Sequence, residues 1–252
     1  MENAKQIMTD PDTRRRRDKL LEGLLFYIAR DPVLNKNLIL QGGGALHFIY
    51  SSPRYSNDLD FVAPYFTENK KSLIRKLSED LKNYQTFTFK NLKLDRNFLR
   101  TKYSIQDGNE VGSIDILEQT SNDFKTIEGA FSPLLVETPK EIYADKIISI
   151  LGRMMKRGSI KGTDLFDLDF LIKMYEAPEM DLIVKKANNY GNIGFSKRTR
   201  EQVLQFINEN KNQGQIIANF KKSMTPDYFN EQKFDNLFFE RVSDYLRSIQ
   251  FD

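Results

Sequence analysis

The chain has 252 residues, of which 40% are apolar and 29% are charged, and its formal net charge is +3. This composition is that of a globular protein with a core of its own, and it excludes a disordered chain. The sequence has no cysteine and a single histidine, His47, which excludes a disulfide scaffold, a thiolate metal site and a multi-histidine metal site. No apolar run approaches the roughly 20 residues of a membrane span, and the N-terminus has no signal-peptide core, so we expect a soluble, cytoplasmic protein.

The first 84 residues predict alternating helices and short strands. Helical spacing of leucines predicts an opening helix over about residues 12–30, which Asp31-Pro32 ends. The segment "NLILQ" predicts a buried strand, Gly42 to Gly44 a turn, and "ALHFIYSS" a short helix that Pro53 stops. The segment "NDLDFVA" predicts the next strand, and a helix is expected over about residues 67–84.

The second half of the chain divides into a β-rich part and a helical part. The segments "QTFTFKNLKL", "NFLRTKYSIQ" and "EVGSIDIL" predict strands, and Asp107-Gly108 predicts a hairpin turn between the last two. Thr138, Pro139 and Glu141 predict a capping box at the start of a long helix. We therefore expect an α+β protein, with a mixed-sheet domain over residues 1–137 and a helical domain over residues 138–252.

Acidic residues in two predicted strands suggest a metal site. Alternate residues of a strand point to the same face, so Asp58 and Asp60 project together while Leu59 and Phe61 face the core. Adjacent carboxylates repel each other, and a divalent cation between them removes that penalty. Asp115, flanked by two isoleucines, adds a third carboxylate if its strand lies beside the first. Three such carboxylates can hold two metal ions, and Asp115 can instead accept a proton from a hydroxyl group. Oxygen ligands favour Mg²⁺ or Mn²⁺ over zinc.

The glycines before the short helix supply the complementary half of such a site. Their N–H groups can approach a phosphate closely, and a helix N-terminus favours negative charge. Taken separately, the glycines are more often an ordinary turn, and an Asp-x-Asp strand is more often solvated than metal-bound.

Basic residues are concentrated in two places. Arg14 to Arg17 form a run of four, and "KNLKLDRNFLRTKY" carries five basic residues against one acid. This distribution fits a nucleic-acid backbone and fits a solvated face equally well.

Three ordered blocks between about residues 35 and 175 resemble a known family. "GGGALHFIYSSPRYSNDLDF" resembles the motif of the AbiEii/AbiGii toxin family of nucleotidyltransferases, written loosely as Gly-Gly-Thr/Ser-Ala-Leu followed by Arg-x-Ser-x-Asp-Leu/Ile-Asp. "TPKEIYADKIISILGR" is similar to the family's helix with a central Ala-Asp-Lys, and "KGTDLFDLDFLIK" to its Arg-Asp-x-x-Asp-Leu block. The three-block match weighs against a housekeeping or antibiotic-modifying nucleotidyltransferase.

The resemblance implies a polymerase-beta-like nucleotidyltransferase fold and a set of residue roles. Asp58, Asp60 and Asp115 would be the catalytic carboxylates and the metal ligands. Further contacts to the nucleotide would come from Gly43, Gly44, Arg54, Ser56, Lys146, Asp164 and Asp167. Lys146 would reach the triphosphate, where its charge offsets that of the leaving pyrophosphate.

The implied activity is transfer of NMP from an NTP to a hydroxyl of tRNA, another RNA or a protein, by the toxin of a bacterial toxin–antitoxin or phage-defence system. A separately encoded antitoxin would be its partner. The sequence departs from the family pattern at Gly44, where Thr or Ser is usual, and at Lys161 to Thr163, where Arg often precedes the first aspartate. These departures give some weight to the alternative, a catalytically silent nucleotide-binding or partner-binding module. The intact Asp58, Asp60 and Lys146 favour the enzyme.

Overall fold

The computed structural model describes residues 11–77, 88–95, 98–104, 110–119, 123–191, 194–221, 223–224 and 237–251. The predicted hairpin turn at Asp107-Gly108 and the end of the helix predicted to reach residue 84 lie outside these ranges. The described residues form two compact units. Unit 1 takes its residues from 11–51 and 55–138, and unit 2 from 52–54 and 139–251. The assignment of residues 1–137 and 138–252 to two domains stays a prediction, since compact packing alone does not establish an independently folding domain.

Unit 1 combines helices with a β-sheet. Its elements are α1 (Pro11–Arg30), α2 (Leu34–Asn37), β1 (Ile39–Gln41), α3 (Gly42–Phe48), β2 (Leu59–Val62), α4 (Phe66–Arg75), β3 (Thr88–Leu94), β4 (Phe98–Ser104), β5 (Glu110–Leu117), β6 (Phe124–Thr126) and β7 (Leu135–Glu137). The predicted turn over the three glycines is wrong in its extent, because α3 begins directly at Gly42. The backbone φ of Gly42 is +65°, in the left-handed region that glycine adopts without strain. The reversal after β1 is therefore confined to one residue.

Within the described residues, seven strands form one mixed sheet in the order β3-β4-β5-β2-β1-β7-β6. Strand β2 pairs in parallel with β5 and antiparallel with β1. On both β2 and β5 the residues of one face are fully buried, Leu59 and Phe61 on β2 and Ile114 and Ile116 on β5. The alternation predicted from the sequence is thus confirmed, and it directs the aspartates of these strands to the opposite face. The predicted α+β fold class is confirmed.

Unit 2 is helical throughout its described elements. They are α5 (Pro139–Arg157), α6 (Gly162–Met174), α7 (Met180–Asn189), α8 (Lys197–Asn208), α9 (Asn210–Lys221) and α10 (Leu237–Ser248). Helix α5 packs against α6, α7 and α8. Ser196 caps α8, accepting a hydrogen bond from the N–H of Thr199 at 3.2 Å.

The capping box predicted at the start of α5 is wrong. Within the described part of the chain, Oγ1 of Thr138 has no hydrogen-bond partner. The carboxylate of Glu141 turns instead toward α7, where its Oε2 lies 2.7 Å from Nζ of Lys186. A buried cation competes more strongly for a carboxylate than a backbone N–H does, which explains the difference.

Lys186 joins α5 to α7 through a buried ion cluster. Its side chain is 0% exposed, and its Nζ lies 2.7 Å from Glu141 and 2.8 Å from Oδ2 of Asp145. Two carboxylates and one ammonium are thus held together away from water. The cost of removing these charges from water is recovered only while all three groups stay in contact.

Lys186→Met is expected to lower the free energy of unfolding by about 3–5 kcal/mol, because it leaves two buried carboxylates without their cation. Urea unfolding followed by circular dichroism measures this loss. The control is Lys185→Met on the neighbouring, exposed position, which should change stability by less than about 0.5 kcal/mol. Equal stability of the two variants would show that the cluster does not stabilise unit 2.

Candidate functional site

Asp58 and Asp60 lie at the start of β2 and are both half-buried, while Leu59 between them is fully buried. Asp58 immediately precedes the strand and is fixed at two points. Its Oδ1 accepts hydrogen bonds from the N–H and the Oγ of Ser113 at 2.8 and 3.0 Å. Its backbone carbonyl accepts one from Oγ of Ser56 at 2.8 Å. The role of Ser56 in nucleotide binding stays a prediction, and its observed contact positions Asp58.

The register of the sheet places five polar residues in one row across neighbouring strands. Gln41 of β1 lies opposite Asp60 of β2, and Asp60 lies opposite Asp115 of β5. Asp115 in turn lies opposite Arg100 of β4, and Arg100 opposite Lys93 of β3. The predicted adjacency of the strands that carry Asp60 and Asp115 is therefore confirmed.

Arg100 binds both carboxylate oxygens of Asp115. Its Nε donates to Oδ1 at 2.8 Å, and its Nη2 donates to Oδ2. This bidentate hydrogen bond raises the pKa of Arg100, and the charges of Asp115, Asp60 and Asp58 add to the effect. The sequence placed Arg100 in a basic stretch that fits either RNA or solvent, and its main contact in the structure is an acid of the candidate site.

The three carboxylates match Mg²⁺ and Mn²⁺ in chemical type and in their shared face. All donors are hard oxygens, Asp60 and Asp115 occupy partner positions on parallel strands, and Asp58 is two residues from Asp60. Among the described residues, no three acidic or histidine side chains converge closely enough to hold a metal ion. In this structure both oxygens of the third carboxylate, that of Asp115, accept hydrogen bonds from Arg100.

The glycines of α3 lie directly against β2. A Cβ on Gly42 would lie 3.3 Å from Oδ2 of Asp60, so only a glycine leaves that carboxylate uncovered. A Cβ on Gly44 would lie 3.2 Å from Cδ2 of Leu59 and 3.3 Å from the carbonyl oxygen of Asp58. A side chain at position 44 would therefore press on β2. Phosphate binding by Gly43 and Gly44 stays a prediction.

Unit 2 gathers four predicted site residues into a second cluster. Nζ of Lys146 lies 2.7 Å from Oδ2 of Asp167 and 3.2 Å from Oδ1 of Asp164. Arg54 donates two hydrogen bonds to the same Asp167, from Nε to Oδ1 at 2.7 Å and from Nη2 to Oδ2 at 2.8 Å. The backbone of Arg54 also forms a β-bridge with Met224, which explains why residues 52–54 belong to unit 2.

Electrostatic attraction in this cluster favours the charged forms of Lys146 and Asp167. Burial opposes the charged form of Lys146, but the attraction of Asp167 and Asp164 outweighs burial, so the pKa of Lys146 is raised. Burial also opposes ionisation of Asp167, and Arg54 and Lys146 together lower the pKa of Asp167 below its usual range. Asp164 and Asp167, three residues apart on α6, therefore orient Lys146.

The structure thus forms two groups from the predicted residues, one in each unit. In unit 1, Asp60 and Asp115 share a sheet face, and Asp58 directly precedes β2 with its carboxylate bound to Ser113. In unit 2, an ion cluster contains Arg54, Lys146, Asp164 and Asp167. Sequence reasoning missed the contacts of Ser113 and Arg100. A signal for Arg100 existed: counting seven residues outward from each side of Asp107-Gly108 pairs Arg100 with Asp115.

Several solved structures are similar to this chain. MenT4, a nucleotidyltransferase toxin from Mycobacterium tuberculosis H37Rv, is similar in structure with a TM-score of 0.58 and 16% identity, over 93% of this chain and 85% of that chain. A putative nucleotidyltransferase from H. pylori gives a TM-score of 0.49 and 18% identity, over 96% of this chain and 100% of that chain. JHP933 from Helicobacter pylori gives a TM-score of 0.48 and 17% identity, over 94% of this chain and 91% of that chain. No curated protein matches the chain.

A family model assigns the chain to the nucleotidyltransferase class. The model of one family, the nucleotidyl transferase AbiEii toxins of type IV toxin–antitoxin systems, matches residues 23–240. The chain therefore belongs to the AbiEii family, and the resemblance found in the sequence is confirmed. In the described part of the chain, no helix is long and apolar enough to cross a membrane.

Asp167→Asn is expected to lower the free energy of unfolding by about 3 kcal/mol near neutral pH, because Arg54 and Lys146 lose their shared buried anion. Folding lowers the pKa of Asp167. Its contribution to the free energy of unfolding is therefore present above the pKa of the unfolded state, about 4, and is lost as the pH falls through the pKa of the folded state. The difference from wild type should therefore narrow below about pH 4, as measured by urea unfolding across pH. The exposed Asp181→Asn is the control, and a difference that persists unchanged at about pH 2 would contradict this account.

Proposed function

We propose that this toxin-family nucleotidyltransferase transfers NMP from an NTP to a hydroxyl group and depends on a divalent metal. The acceptor oxygen forms a bond to the α-phosphorus, and the bond from that phosphorus to the bridging oxygen breaks. Pyrophosphate leaves with the electron pair, and the hydroxyl proton passes to a base. The main support is the row that places Asp60 and Asp115 side by side on the parallel strands β2 and β5, in a chain of the AbiEii family.

Asp58 and Asp60 would hold the metal ion, Mg²⁺ or Mn²⁺. When bound, such an ion would neutralise charge on the phosphates and orient them for in-line attack. Asp58 is prepared for this role, because Ser113 and Ser56 fix its carboxylate and its backbone. Asp115 would complete the carboxylate set as a further ligand or would accept the proton of the attacking hydroxyl.

Nucleotide-binding roles are proposed for residues of each group, taken separately. Gly43 and Gly44 would contact phosphates through their backbone N–H groups. Lys146 would contact the triphosphate, and the raised pKa of its amine supports this role because the side chain stays cationic at neutral pH. Asp164 and Asp167 would act by orienting Lys146, and Arg54 by holding Asp167.

The acceptor, in this proposal, is tRNA, another RNA or a protein hydroxyl. Membership of a type IV toxin–antitoxin family implies an antitoxin encoded separately. We further propose that the toxin acts in bacterial cytoplasm, with phage defence as one setting for its release.

Asp60→Asn is expected to reduce transfer of label from an α-labelled NTP to a total-tRNA pool by about two to three orders of magnitude. The substitution removes the negative charge of Asp60, which would hold the metal ion while charge is redistributed over the phosphates. Each of the four NTPs is tested with Mg²⁺, and labelled RNA is separated on denaturing gels. Asp123→Asn, an exposed acid of the same unit, is the matched control and should retain wild-type activity.

Two results of this assay would reject the proposal in different ways. Labelling that survives Asp60→Asn would place the chemistry elsewhere. Absence of labelling with every NTP and with RNA and protein acceptors, together with nucleotide binding that tolerates the substitution, would favour the catalytically silent binding module.

Expression of the wild-type chain is expected to arrest bacterial growth, and expression of Asp58→Asn is expected not to do so. The loss of toxicity follows if transfer is its cause, because Asp58 would hold the metal. Growth curves are compared at matched protein abundance, measured by immunoblot. Arrest by Asp58→Asn equal to that by wild type would separate toxicity from the transfer reaction.

A further inference from the structure

Arg100 is placed to compete with a metal ion for Asp115. The carboxylates of Asp60 and Asp115, at partner positions on one sheet face with Asp58 two residues from Asp60, repel one another unless a cation lies among them. Within the described residues, Arg100 supplies this cation at Asp115, with a guanidinium that binds both oxygens. Asp60 and Asp58 also attract that guanidinium. The sheet thus carries a cation where the proposed reaction needs a metal.

The geometry of the pair allows the arginine to leave without damage to the fold. The side chain of Arg100 is 45% exposed, whereas that of Asp115 is 16% exposed. Its guanidinium also lies 5.3 Å from the ring centre of Phe98 on the same strand, which offers the cation a second contact. An exposed bidentate pair is worth only a modest free energy, so a divalent ion can displace the arginine.

We propose that Arg100 is a built-in counter-cation, which occupies Asp115 in the metal-free protein and releases it when a divalent ion binds. This inference rests on the proposed function, because it assumes that the carboxylates bind metal. Arg100 is thus a positioning residue: it holds Asp115 in place and keeps the carboxylates from repelling one another before the substrate arrives. The contact between Arg100 and Asp115 lowers the affinity of the carboxylates for a metal ion.

Direct Mn²⁺ binding, measured by electron paramagnetic resonance of the free ion, tests this proposal without reference to activity. Arg100→Gln should raise the affinity for Mn²⁺ by about three- to tenfold over wild type. The gain should vanish when Asp115→Asn is present in both proteins. Lys93→Gln removes the same charge from the exposed position opposite Arg100 and should leave the affinity within about twofold of wild type.

A second measurement uses the wild-type protein alone. Addition of diamagnetic Mg²⁺ should shift the ¹H–¹⁵N signal of Arg100 Nε, because its hydrogen bond to Asp115 breaks. Thermal unfolding confirms that each variant is folded.

Each outcome decides the proposal. A gain for Arg100→Gln that requires Asp115, with the Nε shift, supports it. Binding of Mn²⁺ that depends on Asp60 but is unchanged by Arg100→Gln, or an equal gain for Lys93→Gln, overturns it and leaves the proposed function intact. Absence of Mn²⁺ binding in every variant overturns the metal-dependent function together with this inference.

Discussion

Repulsion among carboxylates on one face of the central strands is the constraint on which the site of unit 1 depends. The pairing of β2 with β5 puts Asp60 and Asp115 at partner positions, and the burial of Leu59, Phe61, Ile114 and Ile116 fixes which face they occupy. A slip of one residue in the strand register would bury the aspartates and expose the apolar side chains. The apolar residues therefore determine the register that places Asp60 beside Asp115. The sheet therefore cannot avoid this repulsion and must neutralise it.

Two kinds of contact do so. Ser113 stabilises Asp58 with hydrogen bonds that carry no charge, and Arg100 stabilises Asp115 with a full positive charge. Unit 2 meets the same problem in a buried setting, where Arg54 and Lys146 share Asp167 and Lys186 holds Glu141 and Asp145. The proposed exchange in unit 1 requires a weak, partly exposed pair, whereas in the buried clusters of unit 2 the loss of any one member leaves the others without a partner.

The sequence was a good guide to what depends on local pattern. Alternation of apolar and acidic residues predicted which faces of β2 and β5 are buried, and the three motif blocks predicted the family. It was a poor guide to long-range partners. The Glu141 side chain follows a capping-box pattern, but it binds Lys186, which is 45 residues away in the chain. Likewise Arg54 lies 113 residues from Asp167, and no local spacing signals that contact. Arg100 is an intermediate case. The hairpin register implied its pairing with Asp115, whereas the charge pattern around it indicated only a contact with RNA or solvent.

The most direct test of the account is the position of a bound metal. Crystals of the protein grown with Mn²⁺ and a non-hydrolysable NTP analogue should show an anomalous-scattering peak in contact with the carboxylates of Asp58 and Asp60. The guanidinium of Arg100 should then have left Asp115. An anomalous peak that avoids both aspartates, with the Arg100–Asp115 pair intact beside a bound nucleotide, would contradict the assignment of this face as the catalytic centre.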